Sequence, residues 1–457
     1  MAQSQLRPKP FLLPDFCKGC GRCIEACNRG CIGPGEQVNP ASGLIPVQLD
    51  LERCNYCGLC IGACPEPYGL RPEPAPDPTR ELPPRPRISQ RPVSVPDQRL
   101  PIPRLEPLVI KGNYAAAIGA LAAGCRHFYG YPITPSTEGA ELMAKLLPEL
   151  DGVFLQAVSE VATVNHMYGC GGAGLRCMTF TSSPGFSLML EGISYMIGAE
   201  VPGVFVDVMR GGPGLGNIGP EQGDIKLACR GLGHGNTHAP VLAPATPQEM
   251  LDLTQLAFDL AFRYRTPVVV LGDGYLGQMT GRVRLPETMV RPGLPDWAVW
   301  GDAAHRQNLI CSISLSEADL EAHNDRLLEK YSRIAALEPH AELFRAEDAE
   351  LLIVACNTPA QTARAAVESL RQMGVRAGLF RPITLWPFPI AALRPLLENV
   401  RQLLVVEASA GQLEDELRLA LSHAGLAPPR IDSVRHTGGV LPQLREIIAR
   451  VQRRTHD

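Results

Sequence analysis

From Leu108 onward the chain alternates short apolar runs with longer amphipathic stretches. The runs His127–Pro132, Val153–Val158, Arg176–Ser182, Gly203–Met209 and Pro267–Gly272 have strand length. Between them Tyr114–Cys125, Glu138–Leu147, Val161–Tyr168, Phe186–Ile197 and Pro247–Ala261 carry helical periodicity. Such alternation predicts an α/β fold, a parallel sheet covered on both faces by helices. The pattern loosens from Gly281 to Glu347, where Glu317–Leu337 alone reads as a helix, and this stretch is read as a crossover to another domain. It resumes from Ala349 to Arg453, with strands at Leu351–Cys356, Arg376–Phe380 and Leu403–Glu407 and helices at Pro359–Met373 and Gln412–Ala424.

Upstream of Leu108 the pattern is lost. Twelve prolines fall between Leu70 and Pro107, a composition that predicts an extended polyproline linker with few residues able to build a core. The linker either tethers loosely or pins the preceding segment against a partner. The 457 residues suit two or three domains. The predicted division is 11–68, a linker over 69–107, 108–285, a connecting segment over 286–345, and 346–455. A net charge of −4 gives no electrostatic footprint for nucleic acid. No apolar run reaches the roughly 18 residues of a membrane span. The start, MAQSQLRPKPFLLPD, lacks a secretory pattern, so a cytoplasmic location is expected.

Cysteine usage changes the picture. Nine of the 15 cysteines lie between Cys17 and Cys64. Cys17, Cys20, Cys23 and Cys27 form C-x2-C-x2-C-x3-C, and Cys54, Cys57, Cys60 and Cys64 repeat it, with Pro65 following. Zinc also takes four thiolates, but it does not call for the third closely spaced cysteine in each half. The repeat resembles the bacterial two-cluster ferredoxins, in which the fourth cysteine of each run ligates the other cluster. The resemblance implies one [4Fe–4S] cluster on Cys17, Cys20, Cys23 and Cys64, and a second on Cys54, Cys57, Cys60 and Cys27. Gly19, Gly21 and Gly58 let the loops wrap a cubane. Asn28 stands where a proline is expected after Cys27, and Cys31 reads as a small buried residue. Gln37–Leu51 is predicted to form a short hairpin across Asn39–Gly43.

Tyr131–Glu138 reads YPITPSTE and follows an apolar strand. Pro132 and Pro135 stiffen the backbone between them. Thr134, at a strand end, can present a hydroxyl and an N–H to a ligand, since open α/β sheets bind ligands there. The plainer reading is a strand-to-helix loop with Ser136 or Thr137 as N-cap. YPITPST resembles the hallmark of the α subunit of 2-oxoacid:ferredoxin oxidoreductases, and the similarity runs from about Lys111 to Arg450. FRPITLWPFP (380–389) and VVEASAGQLEDELR (405–418) resemble that family's transketolase C-terminal-type domain, expected to be non-catalytic. The implied fold is a thiamine-enzyme pyrimidine-binding-type domain plus this domain, after a small α+β ferredoxin domain.

The resemblance also implies roles. Glu160 sits against N1′ of the thiamine aminopyrimidine, where a carboxyl favours the tautomer that takes up the reacting proton; otherwise it is a helix-start Glu favoured by the macrodipole. Pro132 and Ile133 lie against the same cofactor. Thr134 and Arg210 bind the substrate's 1-carboxylate, for which a guanidinium offers two parallel N–H groups; the alternative is a surface arginine. Arg210 leads into GGPGLGNIGPEQGD (211–224), whose literal GxGxxG is not followed by a helix and is read as turn-forming. Its Leu215 and Ile218 resemble the branched-chain and aryl 2-oxoacid enzymes more than those for 2-oxoglutarate. Gly272-Asp273-Gly274 lacks the Asn pair of the magnesium–diphosphate motif and is read as a strand end. His166, His234, His238, Cys170 and Cys177 read as loop or packing residues.

The expected function is that of a subunit oxidatively decarboxylating a branched-chain or aryl 2-oxo acid, of the 3-methyl-2-oxobutanoate or phenylglyoxylate type, with coenzyme A. Electrons leave through the two clusters to ferredoxin or to a flavin subunit that reduces NAD. A separate β subunit is expected to hold the thiamine diphosphate and Mg²⁺, and a γ chain to be separate too. The alternatives are a 2-oxoglutarate or pyruvate enzyme of the same family, and a catalytically silent electron-transfer subunit.

Overall fold

The computed structural model describes residues 9–66, 69–72, 93–302, 304–305 and 307–453. The chain forms two compact units, within residues 1–89 and 90–457. Most of the expected linker, residues 73–92, lies outside the described residues.

In the first unit, each cysteine run ends in a five-residue helix, Arg22–Ala26 and Leu59–Ala63. Both helices are entered through a glycine in the left-handed region, Gly21 at φ 77° and Gly58 at φ 75°, which glycine adopts without steric cost. The sequence repeat is therefore a repeat of local structure. The predicted turn is present, with Gly43 N–H donating to Asn39 O, but its strands stand further out, Ile32–Gly33 against Gln48–Leu49. Asn39 also donates to the Asp15 carboxylate at 2.8 Å.

The second unit contains two main sheets, of seven and five strands, and two two-stranded pairs, one of them Leu108–Lys111 against Thr280–Val283. The strands of the main sheets are β1 (His127–Gly130), β2 (Val153–Gln156), β3 (Cys177–Thr181), β4 (Gly203–Met209), β5 (Val241–Leu242), β6 (Pro267–Asp273), β7 (Ala341–Phe344), β8 (Leu351–Val354), β9 (Ala377–Pro382), β10 (Thr384–Trp386), β11 (Gln402–Glu407) and β12 (Arg430–Arg435). The larger sheet has the order β10-β5-β6-β4-β3-β1-β2 and is parallel except for β10. From β2 the chain crosses back over β1 to β3, so strand order reverses between β1 and β3. In such sheets the crevice beyond the strand C-termini at this point takes ligands. The smaller sheet has the order β7-β9-β8-β11-β12, with β7 antiparallel at the edge. β3, β4 and β6 are buried along their whole length, as expected where helices cover both faces.

Two segments depart from the sequence reading. Gln98–Pro101, within the expected linker, pairs antiparallel with Thr288–Arg291, within the expected connecting segment. Pro101 ends its strand, where a missing N–H is tolerated. The string FRPITLWPFP was expected to lie in the C-terminal domain alone, but it divides: β9 belongs to the smaller sheet and β10 pairs with β5 in the larger one. Only Ile383 separates them. Arg381, buried at the end of β9, bridges the same boundary, donating to Glu342 at 2.6 Å and to both oxygens of Glu249 at 2.6 and 3.0 Å.

Candidate active site

The candidate residues gather at the C-terminal ends of neighbouring parallel strands. Asp273 closes β6, Arg210 follows β4, Ser183 follows β3, Thr134 follows β1 and Glu160 follows β2.

The YPITP turn is held from behind. Asn113 and Gln278 both donate to the Pro135 carbonyl, at 2.7 and 3.1 Å. Ser136 precedes the helix Thr137–Leu146, but its hydroxyl donates to Ile133 O and makes no cap hydrogen bond. Thr134 and Pro132 are exposed and Ile133 is half-buried. Arg210 donates through Nη1 to Thr134 O at 2.8 Å and through Nη2 to Leu215 O at 3.1 Å. Its Nε is buried with no hydrogen-bond partner among the described residues. A guanidinium held by two carbonyls, whose Nη1 and Nη2 each keep a second N–H, suits a carboxylate.

Glu160 opens the helix Glu160–Gly172, which Ser159 caps by accepting from Ala162 N–H. Its side chain is buried, yet makes no hydrogen bond or ion pair to a described residue. Beside it the Thr181 hydroxyl is also buried and unpartnered. A Cβ on Gly185 would stand 2.5 Å from both Glu160 Oε1 and Thr181 Oγ1, so only glycine leaves room for them. The Glu160 carboxylate, 6% exposed, and the buried Thr181 hydroxyl are polar groups without partners among the described residues that could face the ring nitrogen and amino group of an aminopyrimidine. Val158 and Val161 flank Glu160 in sequence and are 87% and 48% exposed.

The turn after β3 links the two halves, and sequence reasoning missed it. Gly185 touches Glu160, while the Ser183 hydroxyl accepts from Arg210 N–H at 3.0 Å and contacts the Asp224 carboxylate. Asp224 faces Asp207, a fully buried carboxyl in the middle of β4. The visible signal was an aspartate inside the apolar strand VFVDVM. The GDG segment is the strand end that was expected. Asp273 caps the short helix Gly274–Gln278, and its carboxylate accepts from the Thr358 N–H and hydroxyl. His166 stacks on Tyr129 and His238 on Trp386, so both pack rather than react.

The eight candidate cluster cysteines fall into two electrostatic neighbourhoods. Burial, then the charges of Cys17, Cys64 and Cys20, raises the Cys23 thiol. Burial, then Cys27, Cys57 and Cys54, pushes Cys60 up to about 11. Cys27, Cys54, Cys57 and Cys60 line one pocket. A cationic cluster bound by four thiolates supplies the positive charge that these neighbourhoods lack. Cys31 is buried, as expected, and its N–H donates to Cys27 Sγ.

Comparison with known proteins identifies the family. Residues 118–296 match the pyruvate flavodoxin/ferredoxin oxidoreductase, thiamine diphosphate-binding family. Residues 349–447 match pyruvate:ferredoxin oxidoreductase core domain II, and residues 16–67 a 4Fe-4S dicluster domain. The ketoisovalerate oxidoreductase subunit VorB of Methanothermobacter thermautotrophicus is 46% identical over 346 residues, covering 75% of this chain and 97% of that protein. The 2-oxoglutarate synthase subunit KorA of Archaeoglobus fulgidus is 39% identical over 318 residues, covering 68% and 91%. The solved 2-oxoglutarate:ferredoxin oxidoreductase from Magnetococcus marinus, with 2-oxoglutarate, coenzyme A and succinyl-CoA bound, superposes with a TM-score of 0.69 at 26% identity, over 76% of this chain and 65% of that one. Fold and site thus define a thiamine-dependent oxidoreductase chain that carries a dicluster iron–sulfur domain. The chain belongs to the 2-oxoacid:ferredoxin oxidoreductase family. Its cofactors are two [4Fe–4S] clusters and thiamine diphosphate, and, like relatives named as subunits, it is one part of a larger enzyme. Among the described residues no helix is long and apolar enough to cross a membrane.

Proposed function

We propose that the chain is the α-type subunit, with fused ferredoxin domain, of an enzyme converting a branched-chain or aryl 2-oxo acid and coenzyme A to acyl-CoA, CO2, a proton and two electrons. The observation that carries the substrate class is the loop after Arg210, where Leu215 and Ile218 stand 83% and 64% exposed beside the carboxylate clamp. An apolar side chain projecting from a clamped carboxylate would cover them. The name of the VorB relative supports the same class.

In this reading Arg210 and Thr134 orient the carboxylate that leaves as CO2. Glu160 holds a proton at N1′ of the aminopyrimidine, with Pro132 and Ile133 against the same ring. Thiamine diphosphate, when bound, supplies the nucleophilic carbon and the electron sink. A β subunit would hold its diphosphate and Mg²⁺, closing over Val158 and Val161 to exclude water. Cys17, Cys20, Cys23 and Cys64 would hold one cluster, and Cys54, Cys57, Cys60 and Cys27 the other. Two such clusters would supply a one-electron path from the site toward ferredoxin or a flavin subunit, in a cytoplasmic complex with a separate γ chain. The division into 11–68, 69–107, 108–285, 286–345 and 346–455 belongs to the same proposal.

The test is anaerobic viologen reduction with coenzyme A by the chain and its co-purifying subunits, against 3-methyl-2-oxobutanoate, phenylglyoxylate, pyruvate and 2-oxoglutarate. Turnover led by one of the first two acids is expected. Preference for 2-oxoglutarate would overturn the substrate class. Glu160→Gln should abolish turnover with both clusters retained; surviving activity would favour a silent electron-transfer role.

A further inference from the structure

The loop 211–224 closes on itself at its base. Gly211 N–H donates to Gly219 O at 2.9 Å and Asn217 N–H to Gly211 O at 3.0 Å. Further hydrogen bonds tie it to the C-terminal part of the same compact unit. Glu221 Oε2 accepts from Gly212 N–H and from Gly438 N–H, each at 3.1 Å. Asn217 Nδ2 donates to Gly438 O at 2.9 Å, while its Oδ1 accepts from Gly219 N–H. One residue, Gly438, is thus gripped at both its N–H and its carbonyl by two loop side chains. Gln222 completes the seam. Its N–H donates to Ala408 O at 2.7 Å and its Oε1 accepts from Ala408 N–H at 2.8 Å.

Glu221 is buried and makes no ion pair among the described residues; the bonds it makes are to backbone N–H groups on two separate segments. A carboxylate satisfied in this way fixes the distance between those segments. What it fixes bears on the site, because Leu215 O in the same loop accepts from Arg210 Nη2. The fit is close on the far side too. Gly439 has φ 87°, and a Cβ there would stand 2.9 Å from Asn217 Oδ1 and 3.1 Å from Gly219 Cα.

We propose that Glu221, with Asn217 and the Gly438–Gly439 turn, is a latch through which the C-terminal domain sets the shape of the substrate-selecting loop. Glu221 is then a positioning residue that determines specificity without touching substrate. The C-terminal domain, expected to be non-catalytic, acts on catalysis through this contact. The proposal rests on the reading of the loop given above.

The experiment compares Glu221→Ala, Glu221→Gln and Gly439→Ala with wild type in the assembled enzyme. Glu221→Ala should raise KM for the preferred 2-oxo acid by about tenfold or more, the scale of a small misplacement in a site. The kcat should fall less, and preference over 2-oxoglutarate should narrow. Glu221→Gln keeps an acceptor oxygen and should restore most of the selectivity. Gly439→Ala should reproduce the defect from the other side of the seam. Unchanged kcat/KM ratios between acids in Glu221→Ala and Gly439→Ala would overturn the latch. Hydrogen exchange decides the matter independently of turnover. Backbone amides of 211–219 should exchange faster in Glu221→Ala and Gly439→Ala, and unchanged exchange would sink the latch whatever the substrate. A wild-type enzyme inert toward every acid in the panel would instead count against the substrate reading alone.

Discussion

Arg210 Nη1 donates to the Thr134 carbonyl oxygen at 2.8 Å, joining a turn after β1 to the end of β4. The clamp is therefore built before substrate arrives. One arm of the guanidinium holds the YPITP turn, the other holds Leu215 O, and each keeps a second N–H. A lysine carries the charge but not the planar fork, so it cannot keep both carbonyls and a carboxylate. Arg210→Lys should lower kcat/KM roughly 10- to 100-fold, the loss of about one charge-assisted hydrogen bond of about 1.5–3 kcal/mol. Steady-state viologen reduction over a range of 2-oxo acid concentrations measures it. An unchanged value would remove Arg210 from the site.

Leu215 and Ile218 are exposed apolar residues on a loop whose backbone is anchored on both sides. Their side chains are thus free to choose a partner while their main chain is not. One methylene's contact in an apolar pocket is worth about 10- to 200-fold in kcat/KM. Leu215→Ser should lower kcat/KM for 3-methyl-2-oxobutanoate about tenfold and that for pyruvate, which lacks the branched side chain, much less. Equal losses on both acids would mean that the loop does not read the side chain.

The two cysteine neighbourhoods give a prediction that needs no turnover. Cys64 lies close enough to act on the Cys23 thiol, and Cys27 on that of Cys60, although 41 and 33 positions separate them, and in the proposed reading the fourth cysteine of each run serves the other cluster. Cys64→Ser should therefore destabilise the cluster of Cys17, Cys20 and Cys23 and spare the one nearest it in sequence. Iron per reconstituted chain should fall from roughly eight to roughly four, at four iron atoms per cubane. Combining Cys64→Ser with Cys20→Ser should cost no more iron than Cys64→Ser alone. Adding Cys57→Ser instead should remove the rest. Iron assay and low-temperature electron paramagnetic resonance separate these outcomes.

Local pattern carried the long elements. The strand Gly203–Met209 and the helix Glu317–Leu337 stand where periodicity placed them, because a run of apolar or amphipathic residues of that length has few other solutions. The strand β10 was not legible. It has three residues, and its partner β5 has two, so their pairing is decided by the two sheets meeting and not by either segment. The same division holds at the site. Glu160 and Arg210 were visible as charged residues at strand ends, where chemistry is placed. The latch was not, because Glu221 meets backbone groups, and Gly438 lies 217 positions away. A sequence shows which side chains exist; it does not show which main-chain N–H groups will face them.

Asp207 is a residue in the site region whose charge state folding alters. It is fully buried in β4, and neither of its oxygens makes a well-formed hydrogen bond to a described residue. Burial first, and the neighbouring Asp224 carboxyl second, push it well above the ordinary carboxylate range. Its folded value therefore exceeds its unfolded value, and the native state keeps a proton that the unfolded chain releases above about pH 4. The stability tied to that proton is fully present below the unfolded value and is lost as pH rises toward the raised one, at up to about 1.4 kcal/mol per pH unit. Asp207→Asn is uncharged at every pH and escapes the loss. Any cost of burying an amide is constant with pH, so the slope decides. The melting temperature of Asp207→Asn relative to wild type should rise as pH climbs above the ordinary carboxylate range, measured by circular dichroism on the assembled enzyme. A difference that stays flat over that rise in pH would mean that Asp207 is ionised in the native state, and that the turn holding Ser183 and Arg210 rests near a buried charge.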